Sequence, residues 1–204
     1  MIQIKDKSNC CGCTACASIC AYNAITMTPD SLGFLYPQVN AGLCVNCGLC
    51  DKICQFHDNY ERYGNYDTPH ACQFRLKQDE QLKKSQSGGA FFAIADKFIA
   101  EGGVVYGAAF TKTWIVTHQK AADDQSLSAL RMSKYVQSDM RGVFTQVKED
   151  LKNGIKVLFS GTACQVAGLK SYIPNRLHEN LFCIDVICHG VPSPKIWDDY
   201  IAYL

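Results

Sequence analysis

The rhythm of apolar and polar residues changes partway along the chain. Up to residue 57 the apolar stretches are short. Residues 24–27 and 34–37 read as two strands around the turn Pro29-Asp30-Ser31-Leu32-Gly33. Residues 58–69 are polar and turn-rich, as expected of a linker. Beyond them strand and helix patterns alternate. Residues 71–76 read as a strand. The apolar positions of 90–100 recur at helical spacing, and Gly102-Gly103 ends that helix. Residues 104–110 and 114–119 read as strands, and 139–153 as an amphipathic helix closed by Gly154. A short strand over 156–159, a helix over 162–173 ending before Pro174, and a buried strand over 181–187 follow. Residues 196–204 are helical in pattern with no cap and no C-terminal glycine, as expected of a domain that stops short of completion. The order predicts three segments: a small unit over 1–57, a linker over 58–69, and an α/β, mixed-sheet domain with a largely buried sheet over 70–204.

Composition narrows the class. The chain has 204 residues, 48% of them hydrophobic, and a formal net charge of +1. That balance gives no electrostatic signature of nucleic-acid or membrane binding, so neither is expected as a partner. The N-terminal MIQIKDKSN lacks the apolar core of a signal peptide, and no apolar run is long enough for a transmembrane helix. Thirteen cysteines are many for this length, and nine fall between Cys10 and Cys54. A secreted disulfide scaffold would spread them along the chain behind a leader. The expectation is a cytoplasmic metalloprotein with reduced thiols.

The cysteines repeat. Cys10, Cys13, Cys16 and Cys20 are spaced C-x2-C-x2-C-x3-C, and Cys44, Cys47, Cys50 and Cys54 repeat that spacing at a constant offset of 34 residues. Three cysteines two residues apart wrap backbone around one cluster, so that amide N–H groups face its sulfurs. Structural zinc instead uses C-x2-C pairs separated by longer loops. The runs resemble those of bacterial two-cluster ferredoxins. The resemblance implies a ferredoxin-like α+β fold with two [4Fe–4S] clusters, ligated crosswise. Cys10, Cys13, Cys16 and Cys54 would hold one, and Cys44, Cys47, Cys50 and Cys20 the other. Ala21 and Gln55 stand where ferredoxins carry proline after the fourth cysteine, and Cys11 is surplus because its counterpart is Val45. Cys11 reads either as a small buried residue or as an alternative ligand. No role follows for Cys72 or Cys183.

Four downstream motifs suggest further chemistry. Ser87-Gly88-Gly89 and Gly161-Thr162-Ala163-Cys164-Gln165 each precede a helix, where backbone N–H groups can receive an anion. Neither fits a Walker A or a GxGxxG fingerprint. Lys134, in Ser133-Lys134-Tyr135, reads as a phosphate or flavin contact or as a solvated lysine. Cys188-His189-Gly190-Val191-Pro192-Ser193-Pro194 follows the last strand, at the edge where open α/β sheets collect ligands. Cys188 and His189 read as a reactive pair or as a buried thiol beside a satisfied histidine. In this order behind a two-cluster module, the motifs resemble the coenzyme F420 hydrogenase/dehydrogenase β-subunit family, over almost the whole chain. Ala163 replaces the proline of that family's GTPCQ loop.

That resemblance implies a flavin-type domain binding FAD without a Rossmann fold, and an iron–sulfur flavoprotein oxidoreductase. Electrons would pass between the clusters and an FAD that exchanges hydride with F420 or another small acceptor. Ser87, Gly88, Gly89, Lys134, Gly161, Thr162, Cys164 and Gln165 are the residues expected near FAD, with His189 and Cys188 as catalytic candidates. The alternative is a non-catalytic electron-transfer subunit that relays electrons to a partner. Either way a redox partner protein or subunit is expected.

Overall fold

The computed structural model describes residues 1–57, 60 and 69–204. The predicted linker falls outside the described residues apart from Tyr60 and Pro69.

The first unit is built on the repeat. Helix α1 (Ala15–Ile19), strands β1 (Ile25–Pro29) and β2 (Leu35–Val39), and helix α2 (Leu49–Lys52) follow in order, with β1 and β2 antiparallel. The pseudosymmetry extends to the backbone. Gly12 (φ 67°) and Thr14 (φ 68°) flank Cys13 in the left-handed region, and Asn46 (φ 54°) and Gly48 (φ 76°) flank Cys47 in the same way. Each run therefore bends sharply on both sides of its second cysteine, then opens a short helix. The small core holds Ile2, Ile25 and Met27 together with Cys16 and Cys50.

The second unit is a four-stranded mixed sheet in the order β4-β3-β5-β6. Its strands are β3 (Val104–Phe110), β4 (Val116–Ala121), β5 (Val157–Thr162) and β6 (Leu181–Val186). β3 pairs antiparallel with β4, while β3, β5 and β6 are parallel. α3 (Asp79–Lys83) precedes the sheet. α4 (Ala90–Ala100) and α5 (Asp124–Leu130) cover one face, through Ala95, Leu127 and Leu130 against Val105 and Leu158. α6 (Val143–Lys152) and α7 (Ala163–Tyr172) cover the other, through Phe144, Val147 and Leu169 against Tyr106 and Phe159. Ala15 of the first unit belongs to that second core. α8 (Pro194–Tyr203) is pinned by Trp197, which stacks on Phe110 and donates its indole N–H to the Trp114 carbonyl at 2.7 Å.

Several sequence expectations are corrected. Residues 71–76 form no strand. They run exposed up to the buried Leu76, whose N–H reaches the Gly88 carbonyl at 2.9 Å. The strand expected over 181–187 ends at Val186 and is not buried. It is the sheet edge, with Phe182 and Val186 each 46% exposed. The amphipathic helix begins at Val143 rather than at residue 139, because Asp139 instead pairs its backbone with Val116 and His118. α5 (Asp124–Leu130) is a helix that the apolar spacing does not predict. A reciprocal cap starts it, in which Asp123 accepts from the Ser126 N–H at 2.7 Å.

Candidate iron–sulfur centre and the adjoining groove

The two cysteine runs cross over in space. Cys20 of the first run lines a pocket with Cys44, Cys47 and Cys50 of the second. Ile19, Ile25, Val39 and Leu49 make its wall apolar. Two amides already point at sulfur there: Ile2 N–H donates to Cys50 Sγ and Ala24 N–H to Cys20 Sγ, both at 3.3 Å. The remaining set gathers likewise. Burial, then the nearby Cys13 and Cys54 thiols, push Cys10 up. Burial, then Cys13, Cys10 and Cys54, push Cys16 up. The Cys10 and Cys16 thiols thus feel that of Cys54 from the second run. An apolar cage with four thiols and inward-pointing amides fits a cubane cluster, whose charge such N–H groups stabilise.

The first cysteine run lies against the α/β unit. Gly168 of α7 is small by necessity, since a Cβ there would stand 2.8 Å from Cys13 Sγ. Thr14 Oγ1 donates to the Met140 carbonyl at 3.2 Å, and Gln137 donates to the Cys11 carbonyl at 3.0 Å. Gln55 is the bridge the sequence did not reveal. Its amide nitrogen donates to Cys11 Sγ at 3.2 Å and to the Cys164 carbonyl at 2.7 Å. The only signal in the sequence was its departure from the ferredoxin proline. The Cys11 thiol lies between those of Cys13 and Cys164. Hydrogen bonding to both holds Cys11 well above the ordinary thiol range and pulls Cys164 below it.

The residues expected at a flavin divide into three places. Thr162 and Cys164 line an open groove of about 650 Å³ with Ala163, Asp185, Val186, Ile187 and Cys188, at the carboxyl edge of β5 and β6. Gly161 and Gln165 lie behind it. A Cβ on Gly161 would meet Gln165 Oε1 at 2.9 Å, and that same oxygen accepts from Thr162 N–H at 3.0 Å, so Gln165 is committed to capping α7. Ser87-Gly88-Gly89 forms a turn whose glycines are required by the segment beneath. A Cβ on Gly88 (φ 68°) would lie 2.1 Å from the Phe74 carbonyl oxygen, and one on Gly89 (φ 81°) 2.2 Å from the Leu76 side chain. Lys134 is neither solvated nor free. It donates to the Ala129 and Arg131 carbonyls at 2.8 and 2.6 Å, at the end of α5, and burial lowers it to about 8. Cys188 and His189 are both exposed, and the Cys188 thiol turns to the Gly190 carbonyl at 3.6 Å, so they are not a buried pair. Among the described residues the groove lining has no Lys or Arg. The described residues thus supply a groove but not the cations that commonly meet an FAD diphosphate.

A buried polar node joins these places. His118 on β4 stacks on Phe159, with Nδ1 2.5 Å from Ser138 Oγ and Nε2 3.0 Å from the Ser160 carbonyl. The carbonyl requires Nε2 to carry the proton, so Nδ1 accepts from Ser138. Burial, against a raising contribution from the Ser160 carbonyl and with a smaller push from the Lys134 charge, lowers His118 to about 4. The unfolded chain therefore binds a proton that the folded chain refuses. Stability is full above pH 6.5 and falls as pH drops toward 4, by roughly 3 kcal/mol across the window. In urea melts, His118→Gln should lower stability at pH 7 yet remove most of the slope between pH 6.5 and 4. An unchanged slope would assign it to other groups.

Comparison with known proteins places the first unit. Residues 9–57 match the 4Fe-4S dicluster domain model. The chain thus has an N-terminal ferredoxin-type iron–sulfur domain followed by an α/β, mixed-sheet region. No curated protein sequence matches the chain. Among solved structures it is similar to a chain of the xenon-derivatised F420-reducing [NiFe] hydrogenase complex from Methanosarcina barkeri, at 20% identity and a TM-score of 0.50. The match covers 62% of this chain and 46% of that one, less than half its length. At that identity the likeness speaks for the fold. Among the described residues no helix is long and apolar enough to cross a membrane.

Proposed function

We propose that the chain is a two-cluster electron-transfer protein in which the first cluster delivers electrons to, or collects them from, the groove of the α/β unit. Cys10, Cys13, Cys16 and Cys54 hold that cluster, and Cys44, Cys47, Cys50 and Cys20 hold the other, nearer the surface, where Cys47 is exposed. The observation that carries this reading is the crossover of Cys20 into the second run. In two-cluster ferredoxins the fourth cysteine of each run ligates the other cluster, which ties both cubanes to one small core. The chain's own residues then have defined tasks. Amides of Ile2 and Ala24 stabilise thiolate charge, the apolar wall excludes water, and Gln55, Gln137 and Thr14 fix the first run against α7 and Met140. When bound, [4Fe–4S] clusters supply one-electron transfer at potentials that this environment tunes.

A second reading is an enzyme in which FAD exchanges hydride with F420 or another small acceptor, its diphosphate met by residues other than the groove lining described above. It is favoured by the place of Thr162 and Cys164, which line the groove within reach of the first cysteine run. Anaerobic redox titration of the loaded protein separates the two. The relay predicts one-electron steps only and acid extraction free of flavin. FAD in the extract, with a two-electron step, supports the second reading. Clusters that exchange no electrons with a viologen would contradict both.

A further inference from the structure

We propose that Cys11 and Cys164 form a reversible disulfide between the cysteine-rich module and the α/β unit, made by exchange with a low-molecular-weight disulfide that enters the groove. This rests on the ligand assignment above, which leaves Cys11 spare. Cys11 falls outside the repeat, opposite Val45. Gln55 nevertheless holds both cysteines at once, its amide nitrogen 3.2 Å from the Cys11 sulfur and 2.7 Å from the Cys164 carbonyl oxygen. Thr162 Oγ1, 3.1 Å from Cys164 Sγ, fixes the second sulfur from the other side. Two thiols far apart in sequence are thus positioned by three polar contacts from two further residues. The module needs neither thiol if its eight repeated cysteines hold the clusters.

Access sets the order of events. Cys164 lines the open groove, whereas Cys11 is not part of its lining. Cys164, as thiolate, attacks one sulfur of the small disulfide. The S–S bond breaks and one small thiol leaves with a proton. Cys11 then gives up its proton and attacks the Cys164 sulfur, releasing the second small thiol. The two cysteines lose two electrons and the small disulfide gains them. The product ties the loop between Cys10 and Cys13 to the first turn of α7, at the junction through which the proposed electron path runs.

The test uses the full chain, loaded anaerobically, with iron and sulfide measured first so that failed cluster assembly shows separately. The protein is incubated with glutathione disulfide, blocked with N-ethylmaleimide, digested, and mapped by mass spectrometry. Linked Cys11–Cys164 peptides that dithiothreitol separates are expected, along with faster migration on a non-reducing gel. In Cys11→Ser, glutathione should remain on Cys164. In Cys164→Ser, Cys11 should carry none. The proposal is overturned if both cysteines end as maleimide adducts in the loaded wild-type protein, or if Cys164 links to Cys188 instead. It is also overturned if Cys11→Ser loses iron as Cys10→Ser does, which would make Cys11 a ligand.

Discussion

Cys20→Ala should empty the site built by the second cysteine run and leave the first site filled. Iron and acid-labile sulfide should fall by about half. The spectrum that survives should match that of Cys44→Ala, from the opposite run, and not that of Cys10→Ala, from its own run. The reason is geometric, since Cys20 lines the same apolar pocket as Cys44, Cys47 and Cys50. Its Sγ already accepts the Ala24 N–H at 3.3 Å, so removing the thiol deletes a ligand and strands a donor. Cys54→Ala is the mirror experiment and should pair with Cys10→Ala. If Cys20→Ala instead behaves like Cys10→Ala, each run holds its own cluster and the crossed assignment is wrong.

Phe144→Ala should cost roughly 3–5 kcal/mol, read as a lower urea midpoint at unchanged slope. Phe144 is fully buried, edge-on to Phe159 and stacked on Tyr172. It also lies beneath Gly168, whose position would meet both the Phe144 ring and Cys13. The cavity would thus open under the helix that carries the contact with the first cysteine run. Phe182→Ala is the control. That ring is 46% exposed on the edge strand and meets Phe98 edge-on, so its loss should cost much less. Equal costs at the two positions would contradict the core described above.

The sequence was most legible where ligand chemistry dictates spacing. The two runs pointed to the cluster module directly, because a cubane imposes cysteine intervals that few other demands impose. The sheet was legible where strands are buried, as in β3 and β5. It was less so at its edges. Residues 71–76 have strand-like composition, yet Gly88-Gly89 presses against them and leaves room for a single backbone hydrogen bond. β6 is apolar in sequence, but an edge position leaves half of it uncovered. The motifs around glycine were the hardest to read. Gly88, Gly89 and Gly161 all have steric reasons to lack a side chain, whether or not an anion approaches. Lys134 looked like an anion contact, but its charge is used on the last carbonyls of α5. His118 and Gln55 could not be found from spacing, since each gains its role from partners distant in the chain.

The most direct test of the central claim is metal analysis joined to electron paramagnetic resonance of anaerobically prepared, dithionite-reduced protein. About eight iron and eight sulfide per chain are expected, with a signal broadened by coupling between two reduced [4Fe–4S] centres. Zinc in place of iron, or iron whose reduced signal shows a single isolated centre at full loading, would contradict it.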